Sequence, residues 1–126
     1  MGFKSHADTS WLIALFNPDD SHHKQALREL EELNTRPSLS AFALAELLVD
    51  FENGDVGSIS ATLSEINKAF TPIVALSSDI AVLAANIRSN NKITLGDAII
   101  IASAIHEKSH LLTFNKSMKA VYERFR

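Results

Sequence analysis

The chain has 126 residues, a usual length for one compact domain, and 46% of its residues are apolar while 21% are charged. It contains no cysteine, which excludes a disulfide framework, a cysteine nucleophile and a thiolate metal site. The formal net charge of −3 at pH 7 excludes a strongly basic nucleic-acid-binding domain, so any contact with nucleic acid needs a local basic surface.

We interpret residues 1–126 as a single domain, because four glycines and three prolines leave no linker or repeat. The best apolar run, residues 98–102, is far shorter than the ~20 residues that span a bilayer. The first residues lack the apolar stretch of a secretion signal. The sequence therefore predicts a cytoplasmic protein that does not enter a membrane.

The first third of the chain predicts one strand, two helices and a short extended segment. Residues 2–7 are polar, which departs from the Val- and Ile-rich composition of a central parallel strand. An apolar helix follows at residues 11–16. The turn at residues 17–21 supplies capping side chains to an amphipathic surface helix at residues 21–33. Residues 37–40 are then extended, and Ser40 can cap the next helix.

That next helix, residues 41–51, is apolar nearly all round and is expected to be buried. Gly54 and Gly57 are expected to break the chain before an amphipathic helix. The apolar face of this helix holds Ile59, Leu63, Ile66 and Phe70.

The remaining elements alternate between strand and helix. Residues 72–76 predict a strand buried on both faces, and residues 77–79 cap a helix that ends at residues 90–91. A strongly apolar helix spans residues 95–107, a last strand residues 110–114 and a closing helix residues 116–125. This order predicts an α/β fold, in which a central parallel sheet of short strands is flanked by helices.

Three carboxylates lie in apolar segments of three separate elements: Asp8 after the first strand, Glu46 inside helix 41–51 and Asp97 at the start of helix 95–107. Ligands of parallel sheets bind outside the carboxyl ends of the strands. Two carboxylates ~5 Å apart repel by about 3 kcal/mol at an effective dielectric constant near 20. One shared cation would remove most of that cost, and oxygen ligands favour Mg²⁺ or Mn²⁺ over zinc.

Each carboxylate also has a simpler interpretation. Asp8 and Asp97 can cap the helices that begin beside them. Glu46 has no capping role, and its alternative is a buried salt bridge with an arginine. The three residues together favour the cation site.

The chain resembles a PIN domain, the compact metal-dependent ribonuclease fold of the VapC toxins in toxin–antitoxin pairs. Four segments carry the resemblance in order: Asp8-Thr9-Ser10 with the turn at residues 17–23, residues 40–48, residues 95–102 and residues 111–115. The resemblance implies a three-layer PIN-like fold and cleavage of RNA phosphodiester bonds with Mg²⁺ or Mn²⁺. It also implies a cognate antitoxin as partner and a homodimer.

The resemblance further implies roles for individual residues. Asp8 and Asp97 would hold the metal, and Glu46 would complete its shell directly or through water. Asn115 stands where many members carry a fourth aspartate, so it is a candidate site residue that brings an oxygen but no charge. Three hydroxyls would support the carboxylates, with capping as their alternative role: Thr9, Ser10 and Thr113.

Contact with RNA would need cations near the mouth of the pocket. Four basic residues are expected on the carboxyl-end side of the sheet or close to it: Arg36, Lys92, Lys116 and Lys119. The alternative is that they are ordinary solvated surface charges.

The leading hypothesis is a metal-dependent endoribonuclease of toxin type. A catalytically weak PIN-like module that binds RNA or protein is one alternative, and an RNA-processing nuclease without an antitoxin is another. A phosphotransferase with an aspartyl nucleophile is disfavoured because it needs a second acid at Ser10. A metal-free ribonuclease is also disfavoured. His22 and His23 begin a surface helix, where exposed histidines are ordinary, and nothing in the sequence pairs His106 or His110 with a second base.

Overall fold

The computed structural model describes the backbone of residues 4–50 and 56–126 and the side chains of residues 4–49 and 60–126. Over these ranges the chain forms four strands and seven helices. The strands are β1 (Ser5–Ala7), β2 (Ser38–Ser40), β3 (Ile73–Val74) and β4 (His110–Leu112). The helices are α1 (Thr9–Phe16), α2 (His23–Glu32), α3 (Ala41–Asp50), α4 (Val56–Ala69), α5 (Ser78–Asn90), α6 (Leu95–His106) and α7 (Lys116–Phe125).

The strands form one parallel sheet in the order β3-β2-β1-β4. In the register of the central strand β1, Ala7 is opposite Leu39 of β2 and Leu112 of β4. The carboxyl ends of these three strands therefore meet at one edge of the sheet. This arrangement confirms the predicted α/β fold with a central short-stranded parallel sheet and flanking helices.

Two helices account for much of the core around this sheet. The apolar helix α6 packs against β1, β2 and β4 and buries Ile100 and Ile101 completely. Trp11 of α1 is also fully buried, and its ring meets the edge of Phe70 with 6.4 Å between ring centroids. The indole nitrogen of Trp11 donates a hydrogen bond to Glu29 at 3.0 Å, which ties α1 to α2.

The polar strand β1 is central because its polar groups pair across the sheet. His6 is fully buried, and its Nδ1 lies 2.7 Å from the hydroxyl of Ser38 on β2. That hydroxyl donates to the carbonyl of Ser5 at 3.3 Å, so His6 Nδ1 is the donor in the shorter bond. His6 Nε2 has no partner within the described residues. Burial lowers the pKa of His6 from 6.5 to about 4.

Most helix boundaries agree with the prediction, and side-chain caps explain several of them. Ser40 accepts a hydrogen bond from the backbone of Ala43 at 2.9 Å, and Ser77 accepts one from Ile80 at 3.2 Å. α1 begins two residues earlier than predicted because Asp8 caps it. α2 begins two residues later, because the carboxylate of Asp20 accepts the backbone N–H of His22 at 2.8 Å and closes a turn first.

The predicted break at Gly57 is wrong, because Gly57 lies inside α4. Leu63 is partly buried on the predicted apolar face of this helix, and Ile66 is fully buried. Three parts of the sequence predictions lie outside the described residues: residues 2–3, residues 51 and 54, and the side chain of residue 59.

The last two strands, β3 and β4, end earlier than predicted. β3 ends at Val74, and Leu76 is 53% exposed, so the expectation of burial on both faces over residues 72–76 is wrong. The reason is that β3 is an edge strand from which the chain leaves after two residues. β4 ends at Leu112 because the side chain of Thr113 turns back to Asp8.

The expectation that α3 is buried all round is also wrong. Ala43 and Leu47 are buried, while Ala45, Glu46 and Val49 are exposed. Only one face of α3 packs on α1 and β2, so its outer apolar positions stay in water. None of the helices in the described ranges has the length and apolar composition needed to cross a membrane.

Candidate active site

Asp8 lies at the carboxyl end of the central strand and is only 2% exposed. Its backbone N–H donates to Leu112 at 2.9 Å, which fixes it beside the end of β4. Its Oδ2 accepts hydrogen bonds from Ser10 Oγ at 2.6 Å and from Thr113 Oγ1 at 2.7 Å. The backbone of Ser10 also approaches Oδ2 at 3.4 Å, so Asp8 caps α1. Within the described residues every one of these bonds ends on Oδ2, which leaves Oδ1 for another partner.

Glu46 lies on the exposed side of α3, and its Oε1 accepts a hydrogen bond from Thr9 Oγ1 at 2.6 Å. The structure shows no ion pair of Glu46 with an arginine among the residues it describes. The alternative of a buried salt bridge is therefore wrong. The bond from Thr9 joins Glu46 to the segment that carries Asp8.

Asp97 lies in the first turn of α6 and is partly buried. The cap of this helix is Thr94, whose hydroxyl accepts the backbone N–H of Asp97 at 3.1 Å. The interpretation of Asp97 as the residue that caps α6 is therefore wrong.

The pKa of Asp97 responds to the charges of the other two carboxylates. Burial raises the pKa of Asp97, and the negative charge of Asp8 raises it further. A hydrogen bond with Thr94 opposes this rise, and the charge of Glu46 adds to it. Asp97 therefore lies within the electrostatic field of both other carboxylates.

Gly96 sets how closely α6 approaches α3. A Cβ atom at this position would lie 2.5 Å from Cε2 and 2.6 Å from Cζ of Phe42, well inside van der Waals contact. The ring of Phe42 thus occupies the space that any other residue would need. The missing side chain brings the first turn of α6, with Asp97, against the helix that carries Glu46.

The oxygen donors of these residues match the chemistry of a metal site, but they do not form a preformed cage around one ion. In residues 4–49 and 60–126, no group of three or more histidine, aspartate or glutamate side chains is arranged to hold one ion directly. The tight convergence expected from the sequence is therefore not present. The donors are oxygens that repel one another, and such a set fits Mg²⁺ or Mn²⁺, since Mg²⁺ is usually held by one or two carboxylates and several waters.

The side-chain oxygen of Asn115 accepts the backbone N–H of Met118 at 3.1 Å and caps α7. This bond uses one of the two lone pairs of the amide oxygen, so the role of Asn115 as a site residue stays a prediction. The backbone N–H of Asn115 donates to Thr113 Oγ1 at 3.0 Å, so Asn115 helps to hold the hydroxyl that contacts Asp8.

The four basic residues divide between the two ends of the sheet. Lys116 begins α7 directly after the β4 end, Lys119 lines a groove beside Thr113, and Lys92 is exposed before α6. Arg36 lines a pocket with residues that precede β1 and β4, Lys4 and Ser109. The expected position of Arg36 is wrong, because a residue that precedes a parallel strand lies at its amino end.

Sequence reasoning missed two features of this region. Thr94 and Asp97 have the spacing of a capping box, so the pattern Thr94-Leu95-Gly96-Asp97 could have identified the cap. The second feature is a stack of the rings of His22 and Phe114, with 4.3 Å between centroids and 15° between planes. No local pattern links two residues so far apart in the chain.

The comparisons with known proteins agree with the fold. The chain shares 28% identity with a structure described as a toxin-antitoxin complex from Klebsiella pneumoniae, with a TM-score of 0.77 over 90% of this chain and 89% of that chain. Mycobacterium tuberculosis VapC20, described as a sarcin-ricin loop cleaving toxin, has a TM-score of 0.76 at 19% identity over 93% and 94%. Neisseria gonorrhoeae FitAcB has a TM-score of 0.74 at 19% identity over 94% and 93%.

No curated protein sequence matches the chain significantly. The model of the PIN domain family, however, matches residues 7–124, which is nearly the whole chain. The match includes Asp8, Glu46 and Asp97 and all four strands apart from the start of β1. The chain therefore belongs to the PIN domain family.

Proposed function

We propose that this PIN domain is a Mg²⁺- or Mn²⁺-dependent endoribonuclease and the toxin of a type II toxin–antitoxin pair. The observation that carries the proposal is the electrostatic effect of Asp8 and Glu46 on Asp97, with Asp8 at the carboxyl end of β1 and Glu46 bonded to Thr9. The toxin-antitoxin complex and the sarcin-ricin loop cleaving toxin among its structural neighbours support it. In this proposal the protein acts in the cytoplasm as a homodimer and is inhibited by its antitoxin.

In the proposed mechanism, Asp8 and Asp97 would hold the ion, and Glu46 would complete its shell directly or through water. When bound, the ion would lower the pKa of the attacking water and neutralise charge on the scissile phosphate. Ser10 and Thr113 donate to Asp8 Oδ2, so they orient the carboxylate with Oδ1 available. Cleavage that expels the 3′-oxygen of the preceding nucleotide leaves a 5′-phosphate.

End-labelled cellular RNAs incubated with the protein and Mg²⁺, Mn²⁺ or EDTA test this proposal. We expect cleavage with either metal, none with EDTA, and at least a ~100-fold lower rate for Asp8→Asn and Asp97→Asn, since loss of a charged ligand weakens both metal binding and phosphate neutralisation. Asp79→Asn is the matched control, because Asp79 lies in the first turn of α5 as Asp97 does in α6. Equal cleavage by Asp8→Asn and the unmodified protein would contradict the proposal.

A second candidate function is a PIN-like module that binds RNA or a protein without turnover. Two observations favour it: the carboxylates form no direct three-residue cage within the described residues, and the oxygen of Asn115 caps α7. In that case RNA binding measured by fluorescence anisotropy would be the same with Mn²⁺ and with EDTA, and no product would form with either metal.

A further inference from the structure

The stacked rings of His22 and Phe114 lie at the surface beside the candidate active site. Their centroids are 4.3 Å apart and their planes are nearly parallel, at 15°. Phe114 is partly buried and packs against the core, while the side chain of His22 is 50% exposed. The order from the core outward is therefore Phe114 and then His22, with the outer ring in contact with water.

The position of both rings is fixed by the backbone. The carboxylate of Asp20 accepts the N–H of His22 at 2.8 Å and closes the turn before α2. The N–H of Phe114 donates to Ser10 Oγ at 3.3 Å. Since that hydroxyl donates to Asp8, one hydrogen-bonded path joins the stack to the central carboxylate of the site.

A groove of about 450 Å³ continues from this stack along the edge of the sheet. Its walls include Phe114 and Thr113, with Lys119 supplying a positive charge. The part of the lining that α2 supplies carries Glu29 and Glu32, which repel phosphates. A nucleic-acid strand that follows the groove would therefore keep its backbone on the Lys119 side and its bases toward the rings.

We propose that His22 and Phe114 form a stacking platform for one unpaired base of the RNA substrate. The proposal rests on the proposed nuclease function and names a base-binding subsite for it. Flat rings bind unpaired bases of RNA through their faces, and the outer face of His22 is the one available. The pair therefore selects single-stranded or looped RNA, because a base inside a duplex has no free face.

Two substitutions test the platform in the cleavage assay with single-stranded RNA and Mn²⁺. His22→Ala removes the outer ring, and Phe114→Leu keeps an apolar side chain in contact with the core but removes the inner ring. We expect KM to rise about tenfold or more in each variant while kcat changes little, in line with alanine substitutions at base-stacking residues. His106→Ala is the matched control, because His106 is exposed at the carboxyl end of α6 and stacks on no ring of the residues that the structure describes.

An RNA that lacks the base at the platform gives the sharper test. RNAs with one abasic nucleotide, moved along the strand around the cleavage position, identify the nucleotide whose base matters to the unmodified protein. At that nucleotide, loss of the base and His22→Ala should each raise KM by the same factor, and the two together should raise it no further. If the two KM factors multiply when both changes are combined, the ring and the base do not interact, and the platform is overturned.

The result also separates this inference from the nuclease itself. Unchanged KM values in His22→Ala and Phe114→Leu, with metal-dependent cleavage intact, would overturn the platform and leave the proposed function standing. Absence of cleavage by the unmodified protein, with no RNA binding by anisotropy, would overturn both.

Discussion

The buried histidine of β1 gives the fold a defined sensitivity to acid. His6 has a pKa of about 4 in the folded chain, against 6.5 when it is unfolded and hydrated. Between these values the unfolded chain binds a proton that the folded chain does not bind. The free energy of unfolding therefore falls as the pH falls from 6.5 to 4, and it is unaffected by His6 well above pH 6.5.

The magnitude follows from the separation of the two pKa values. Each pH unit between them costs up to about 1.4 kcal/mol, so a change from pH 7 to pH 5 removes about 2 kcal/mol. For a chain of this length, that loss lowers Tm by about 7 °C. The cost reflects burial, because His6 Nε2 lacks a partner in the described part of the chain that could stabilise the charged form.

Urea unfolding at pH 7, 6 and 5 measures this effect in the unmodified protein, His6→Asn and His106→Asn. Asparagine does not titrate and can still donate a hydrogen bond to Ser38, so His6→Asn should lose about 2 kcal/mol less than the unmodified protein over this range. The exposed His106 is the control, and His106→Asn should keep the full pH dependence. The reasoning is refuted when His6→Asn and the unmodified protein lose the same stability, whatever their absolute values at pH 7.

The remaining predictions concern the candidate site. Without metal, Asp97→Asn should have a higher Tm than Asp79→Asn, because it removes repulsion from Asp8; an equal or lower Tm in a thermal melt would contradict this. Mn²⁺ at a hundredfold excess over Kd should stabilise the unmodified protein by about 2.7 kcal/mol, or about 10 °C in Tm, and should not stabilise Asp97→Asn. Asn115→Ala should cost about 1 kcal/mol in urea unfolding through loss of the α7 cap, whereas Asn115→Asp should keep that stability. Thr113→Val should lower kcat/KM for RNA about 10- to 100-fold through loss of its bond to the carboxylate, and an unchanged value would show that this bond does not position it.

Much of the fold could be predicted because local patterns decide it. The apolar helix α6, the cap at Ser77 and the closing helix α7 lie within a residue of their predicted bounds. Strand ends were harder, because strands of two or three residues have too little pattern of their own. The centre of the sheet was the least predictable, since the pairing of His6 with Ser38 depends on a neighbour far away in sequence.

Local sequence patterns predict part of the candidate site, and the rest depends on residues far apart in the chain. The three carboxylates could be selected from the sequence because they interrupt apolar segments. Their environments could not, since the exposure of Glu46 depends on which face of α3 packs inward. The role of Asn115 as a site residue was assigned by position in a family pattern, whereas its hydrogen bond to Met118 as the cap of α7 is a local feature.

The contact between Gly96 and Phe42 affects the spacing between two carboxylates of the candidate site, those of Glu46 and Asp97. Phe42 and Glu46 are four residues apart on α3, so they lie one above the other along the same side of that helix. The ring that meets Gly96 thus acts as a spacer that sets the gap between Glu46 and Asp97. A change in the size of residue 42 would alter the separation of two negative charges without touching either one, so this apolar side chain would tune the affinity of the proposed cation site.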